Sequence, residues 1–266
     1  MLWRVAERKD HVGAQTASAP FSTRALSVDY GNGPVVRGVD FEAPHSSLVA
    51  IVGPNGAGKS TLIKASLGLQ RSSAGEARFW GRPLREMRKR IGYVPQRGSV
   101  DWEFPVSVTD VVTMGRYGML GWLRPVTAAH RRAALDYLDQ VGMADFADRQ
   151  ISRLSGGQQQ RVFVARALAQ EADLYFLDEP FAGVDAATEK TLVDVLRRLR
   201  DQGKTAVIVH HDLATVIDYF DHVLLLNGEV IASGAAKDAM TVENLQRAYG
   251  GRLAFLEGAS GAAFRR

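Results

Sequence analysis

The sequence predicts an α/β fold built around a parallel sheet, and three observations carry that prediction. LVAIV (48–52), DLYFLDEP (173–180) and TAVIVHHD (205–212) hold continuous apolar runs, the pattern of strands buried on both faces. The first run passes through a glycine-rich stretch, GPNGAGKST (53–61), directly into helical sequence. The second and third are separated by a helical pattern over Ala186–Asp201, as a strand–helix–strand unit requires.

The elements follow in order. Residues 1–20, MLWRVAERKDHVGAQTASAP, lack the apolar core of a secretory signal and read as a disordered extension. Thr23 to Asp40 reads as short strands around YGNGP, a Gly/Asn/Pro turn signal. Leu48–Val52 is the first buried strand. Arg82, Arg85, Arg88, Lys89 and Arg90 form a basic cluster, but Glu86 and Met87 interrupt it, so a solvated surface is the preferred reading and no nucleic-acid partner is expected. Residues 106–150 change character. In TAAHRRAALDYLDQVG, Thr127 suits an N-cap, Ala134, Leu135, Leu138 and Val141 form an apolar stripe, and Gly142 sits where a C-terminal cap is wanted. A helical insert over about 100–165 is therefore expected inside one domain spanning 21–250. HVLLLNGEVIASG gives two strand-like runs about Asn227-Gly228, a hairpin signal. A last helix over about 241–249 precedes a Gly/Ala/Arg tail, 251–266, expected to be loose.

Composition narrows the function classes. The 266 residues are 46% hydrophobic and 23% charged, which suits one large globular domain or two small ones. With no Cys, disulfides and thiolate metal sites are excluded. No apolar run approaches the roughly 18–20 residues needed to span a bilayer. The net charge is only +4, and no internal repeat is present.

Gly53–Ser60 fits G-x-x-x-x-G-K-[ST] and lies between an expected strand and an expected helix, the context that motif requires. Gly53, Pro54, Asn55, Gly56, Ala57 and Gly58 form a loop whose glycines let backbone N–H groups approach phosphate oxygens. The helix N-terminus adds partial positive charge. Lys59 is placed to reach the outer phosphates, and the Ser60 hydroxyl to ligate Mg²⁺, with Thr61 beside it. LYFLDE ends an apolar strand in two carboxylates. Asp178 suits Mg²⁺, directly or through water, and Glu179 is a candidate general base for an attacking water.

A second glycine pair follows a hydroxyl residue in LSGGQ (154–158). Taken alone, Ser155, Gly156, Gly157 and Gln158 read as a loop and helix cap. Taken with the phosphate loop, the acidic strand end, Gln96 in YVPQ, Asp185 in AGVD, His211 in VHHDL and Tyr30 in VDYGNGP, the chain resembles the ATP-binding cassette (ABC) ATPase family over about residues 22–250. The resemblance implies a P-loop cassette fold: a parallel-sheet core, an N-terminal antiparallel β subdomain and a helical insert. It also implies a head-to-tail homodimer, with ATP and Mg²⁺ between the loop at 53–61 of one chain and the LSGGQ of the other. Each chain would then carry two half-sites facing opposite partners, which accounts for two phosphate-binding arrangements in one sequence. By the same resemblance Gln96 contacts Mg²⁺ or the water, Asp185 lies near the shared nucleotide, Tyr30 stacks on adenine, and His211 holds the γ-phosphate. His210 is the neighbouring alternative, and the HD that follows favours His211.

Long coiled-coil arms, a second cassette and fused membrane segments are all missing from the sequence. The chain thus resembles a transporter subunit whose permease is a separate polypeptide, acting peripherally at the cytoplasmic face of the cell membrane. PQRGSVDWEFPVSVTDVVTMGRYG, DEPFAGVDAATE and VHHDLATVIDYFD are similar to the manganese, zinc and chelated-iron importer branch, which implies a periplasmic or lipid-anchored metal-binding protein as a further partner. Manganese ranks first as cargo, then zinc, then iron. The alternatives are a siderophore or efflux cassette, or a nucleic-acid-directed ATPase favoured only by the basic pI of 9.4. Trp102, Phe104 and Pro105 suit a groove receiving a permease helix, the alternative being that the aromatics are local core of the insert, and for Trp102 the two readings stay open.

Overall fold

A computed structural model describes residues 18–31, 33–120 and 125–250. Most of the N-terminal extension and all of the 251–266 tail read from the sequence lie outside these residues. The chain opens with β1 (Phe21–Asp29), β2 (Pro34–Ala43), β3 (Leu48–Val52), α1 (Lys59–Ser66), β4 (Ala74–Arg78), α2 (Leu84–Met87) and β5 (Ile91–Val94). Helices α3 (Val108–Met114), α4 (Tyr117–Leu120), α5 (Ala128–Gln140) and α6 (Gly156–Leu168) follow. Then come β6 (Leu174–Asp178), α7 (Ala186–Asp201), β7 (Thr205–Val209), α8 (Val216–Tyr219), β8 (His222–Leu226), β9 (Val230–Ala235), α9 (Ala236–Ala239) and α10 (Val242–Tyr249).

Two sheets form. Antiparallel β2-β1-β4 makes a small N-terminal sheet, and β5-β6-β7-β3-β8-β9 makes the main one. All pairs in the main sheet are parallel except β8 with the edge strand β9. In the parallel strands, successive side chains enter different cores. Leu48, Ala50 and Val52 pack on the helical side, while Val49 and Ile51 pack toward the small sheet. That is why β3 and β6 read as uninterrupted apolar runs rather than alternating ones. The core under the small sheet is aromatic: Phe21 lies 5.7 Å from Phe79 and 5.0 Å, edge-on, from Phe176. Truncating fully buried Phe176 to Ala would cost about 3–5 kcal/mol by the usual scale for core aromatics.

The insert between β5 and β6 packs α3, α5 and α6 together. Gly115 sits at the crossing, where a Cβ would lie 2.2 Å from the Arg166 carbonyl oxygen. In α5 the Thr127 N–H donates to His130 Nδ1 at 3.0 Å, and Gly142 leaves the helix at φ +65. Ala134, Leu138 and Val141 are fully buried, but Leu135 is 40% exposed. The core stripe steps by i, i+4, i+7, and a residue one position on is turned about 100° away. Trp102 is half-buried: its ring lies 4.6 Å from that of Phe163 and its Nε1–H donates to the Arg97 carbonyl at 2.9 Å. It is therefore local core, whereas Phe104 remains 58% exposed. Of the basic cluster, Arg90 is structural, bonded to Asp173 at 2.7 Å and lying 4.1 Å over the Trp80 ring.

This topology gathers chemistry at one edge. The carboxyl ends of β3, β5, β6 and β7 carry, respectively, the glycine loop, Gln96, the Asp178–Glu179 pair and the two histidines. Ligands of open α/β sheets bind at that edge.

Candidate active site

The loop after β3 can be built only with glycine at two points. Gly53 (φ +159) sits so close to β8 that a Cβ would lie 1.9 Å from the Leu226 carbonyl oxygen. Gly58 (φ +90) presses against β2, where a Cβ would lie 2.7 Å from Val36 Cγ2. Between them the loop turns back over its own start, and Lys59, buried at the head of α1, donates to the Gly53 and Pro54 carbonyls at 2.8 and 2.9 Å. Burial lowers the Lys59 pKa, while Glu179 and Asp178 act in the opposite direction. Residues 55–61, with Val35, Gln96, Glu179 and His211, line a cleft of about 650 Å³.

Asp178 lies behind Ser60, which lines the cleft. It is fully buried, its Oδ1 accepts from Ser60 Oγ at 2.7 Å, and its Oδ2 has no hydrogen-bond partner. Burial raises its pKa, the Ser60 bond lowers it, and the Glu179 charge raises it again. An orphaned buried carboxylate oxygen is costly unless a cation or donor meets it. With the Ser60 hydroxyl it forms a set of hard oxygen donors fit for Mg²⁺.

Glu179 follows at φ +56, the left-handed region, an uncommon backbone for a residue with a long side chain. His211 Nε2 lies 2.7 Å from Glu179 Oε1, and Gln96 Nε2 donates to Glu179 Oε2 at 3.0 Å. Both carboxylate oxygens are thereby held, and Glu179 lines the same cleft as the phosphate loop.

The two histidines lie just past the end of β7 rather than within a strand, yet they still diverge. His211 faces the cleft. His210 is 3% exposed, its Nε2 sits 2.8 Å from Thr215 Oγ1, and its ring meets Phe181 edge-on at 5.4 Å. Burial pulls its pKa down from 6.5 to about 4. Between those values the unfolded chain binds a proton that the folded chain refuses, so stability is full above about 6.5 and falls as pH drops toward 4. In denaturant titrations from pH 7 to 4.5, the chain with His210→Gln is expected to lose less stability than wild type. Equal slopes would refute this.

The second glycine site lies apart: none of residues 154–158 lines the cleft. Ser155 N-caps α6, its Oγ accepting from the Gln158 N–H at 3.3 Å and its own N–H donating to Gln158 Oε1 at 2.9 Å. Arg97 covers Gly156, where a Cβ would lie 2.9 Å from Arg97 Cζ, and Gly157 lies against the Gly183 carbonyl. Asp185 N-caps α7 by accepting from the Thr188 N–H and hydroxyl, each at 2.9 Å, and these bonds hold its pKa low. Tyr30 is 53% exposed, with its hydroxyl 3.4 Å from Thr61 Oγ1 at the rim of the phosphate loop. Val35 and Arg97 carried no signal in the sequence. Arg97 could have been suspected only from its position next to Gln96.

Comparison with known proteins gives this geometry a family. Residues 36–182 match the family described as ABC transporter. The chain is 57% identical over 228 residues to the zinc transport system ATP-binding protein TroB of Treponema pallidum, covering 86% of each chain. It is 54% identical over 238 residues to the manganese transport system ATP-binding protein MntB of Bacillus subtilis, covering 90% of this chain and 95% of that one. Among solved structures it resembles MJ1267 in its ADP conformation, an ATP-binding cassette of an ABC transporter, at TM-score 0.72 and 25% identity over 87% of this chain and 98% of that one. The P-loop closed over buried Lys59, the carboxylate pair at the end of β6 and these matches agree: the chain belongs to the ABC transporter family, as one of its ATP-binding, ATP-hydrolysing subunits.

Proposed function

We propose that this chain powers the uptake of a divalent metal, manganese or zinc, through a separate membrane permease. The carrying observation is its 54–57% identity, over nearly the whole domain, to ATP-binding proteins named for zinc and manganese transport. Among the described residues no helix is long and apolar enough to cross a membrane; in this reading the permease is a separate polypeptide and this subunit sits peripherally at its cytoplasmic face. A metal-binding protein outside the membrane would deliver the ion.

Each site residue takes a role in this reading. The loop at 53–61, through the amides of residues 55–61 that line the cleft, and the Lys59 ammonium bind the phosphates of ATP, and Tyr30 offers its exposed ring to the adenine. Ser60 and Asp178, with Gln96 nearby, would hold Mg²⁺, which when bound neutralises phosphate charge and orients the terminal group. Glu179 takes the proton of the attacking water. Both its oxygens are engaged by Gln96 and His211 (3.0 and 2.7 Å). A γ-phosphate that competes for either partner therefore frees the base only when substrate is present. Ser155, Gly156, Gly157 and Gln158, with Asp185, serve the nucleotide of a second, head-to-tail copy, since they lie outside this chain's own cleft. The helical insert, about 100–165 within a 21–250 domain, faces the permease.

Cellular Mn and Zn content measured by mass spectrometry tests the cargo. A strain lacking this chain, grown in metal-poor medium, should lose one of the two metals, with content restored by wild type and not by Glu179→Gln. Unchanged Mn and Zn would overturn the metal reading and leave the ATPase assignment standing.

A further inference from the structure

The P-loop is not self-supporting. Gly53 has no room for a side chain because β8 stands directly behind it, with the Leu226 carbonyl 1.9 Å from where a Cβ would be. The next two residues of that strand's turn are Asn227 and Gly228. The Gly228 N–H donates to the carbonyl of Ala57, in the middle of the P-loop, at 3.0 Å, and the Gly228 carbonyl accepts from the Arg37 N–H of β2 at 2.7 Å. Asn227 Nδ2 donates to the Ala248 carbonyl of α10 at 2.9 Å. The next residue of α10, Tyr249, packs its half-buried ring on the main core; burial pushes the pKa of its hydroxyl up to about 12, and the neighbouring Gly53 backbone acts in the opposite direction. The P-loop is thus gripped at Gly53 and at Ala57 from outside itself, and both grips converge on the β8–β9 turn and the C-terminal helix.

We infer that α10, through Tyr249 and Asn227, is a brace that sets the shape of the P-loop, and that Tyr249 and Asn227 are positioning residues for ATP. This rests on the reading of the cleft as the ATP site. The physical case is preorganisation. A loop that binds phosphate by several backbone N–H groups loses affinity when those groups are free to reorient, because ordering them is then charged to binding. Neither residue lines the cleft, so neither acts by touching nucleotide. Their effect falls on affinity, and turnover of the bound complex, which depends on Glu179, His211 and Gln96, is left in place.

The test uses the full chain. Tyr249→Phe keeps the ring and its packing and removes only the hydroxyl. The expected result is a rise of about three- to tenfold in both Kd for a fluorescent ATP analogue and KM for ATP, with kcat at saturating ATP within about twofold of wild type. The melting temperature without nucleotide should stay within a few degrees of wild type. Asn227→Ala should act in the same direction, and the double variant should fall short of the product of the two, since both loosen one brace. Unchanged Kd and KM in Tyr249→Phe would overturn the inference. So would a fall in kcat and in nucleotide-free melting temperature at constant Kd, which marks a merely structural role. Failure of wild type itself to bind ATP would instead overturn the reading of the cleft, and the brace with it.

Discussion

Replacing Glu179 by Gln is expected to lower ATP turnover by at least about a hundredfold while ATP binding stays equal or tightens. The substitution preserves shape. A Gln amide oxygen can still accept from one of the two groups that now hold the carboxylate, His211 at 2.7 Å and Gln96 at 3.0 Å. What disappears is the base, and with it one negative charge. That charge is felt across the cleft, since Glu179 and Asp178 both act on the Lys59 ammonium, where a polyanion must settle. Removing one of the two carboxylates lowers the repulsion a triphosphate meets on entry. Phosphate release and titration with a fluorescent ATP analogue separate the two effects. Turnover within about tenfold of wild type would show that Glu179 is not the base; lost binding would show that it holds the loop. A trapped ATP complex should also gather two copies head to tail, so light scattering that finds only single chains at saturating ATP would count against the shared site.

Much of this arrangement could be read from residue order, for a local reason. β3 and α7 have the bounds expected from sequence because each is set by its own residues: the apolar run 48–52, and Asp185 capping the Thr188 N–H. The P-loop, the carboxylate pair and the Asn227-Gly228 hairpin are likewise short-range chemistry. Long-range packing was not legible. Trp102 could be placed only once α6 brought Phe163 against it, and nothing in the order of residues put Arg97 over Gly156 or Tyr249 against Gly53. Leu135 belongs to the apolar composition of α5 but not to its buried line, a distinction that depends on which neighbours the helix meets. The left-handed Glu179 was invisible for another reason: glycine announces such a backbone, and a glutamate held there by its surroundings does not.

Lys59 gives the other large effect, and it is the opposite of that at Glu179. With Lys59→Ala, affinity for ATP is expected to fall by about ten- to a hundredfold or more, the scale of a charge-assisted hydrogen bond removed from a buried site. Two losses combine in this variant. The ammonium that should meet the phosphates is gone, and so are its bonds of 2.8 and 2.9 Å to Gly53 and Pro54, which tie the loop to the head of α1. Lys59→Met separates them from a loss of volume, because it refills the buried channel without a charge or a donor. If charge and donation are what count, Met and Ala bind ATP equally poorly in calorimetric titrations; recovery of affinity in Met would mean that Lys59 matters chiefly as packing. The contrast with Glu179 follows from position. Lys59 lies at the start of the helix, where its positive charge attracts substrate at every stage, so its loss appears in binding. Glu179 lies at the end of β6, where a negative charge hinders the same substrate, and that hindrance is tolerable only because the carboxylate is needed to take the proton from water. A cleft that places an attractive cation at the head of α1 and a repulsive base just past the end of β6 separates holding ATP from cleaving it, and single substitutions should therefore strike mainly one or the other.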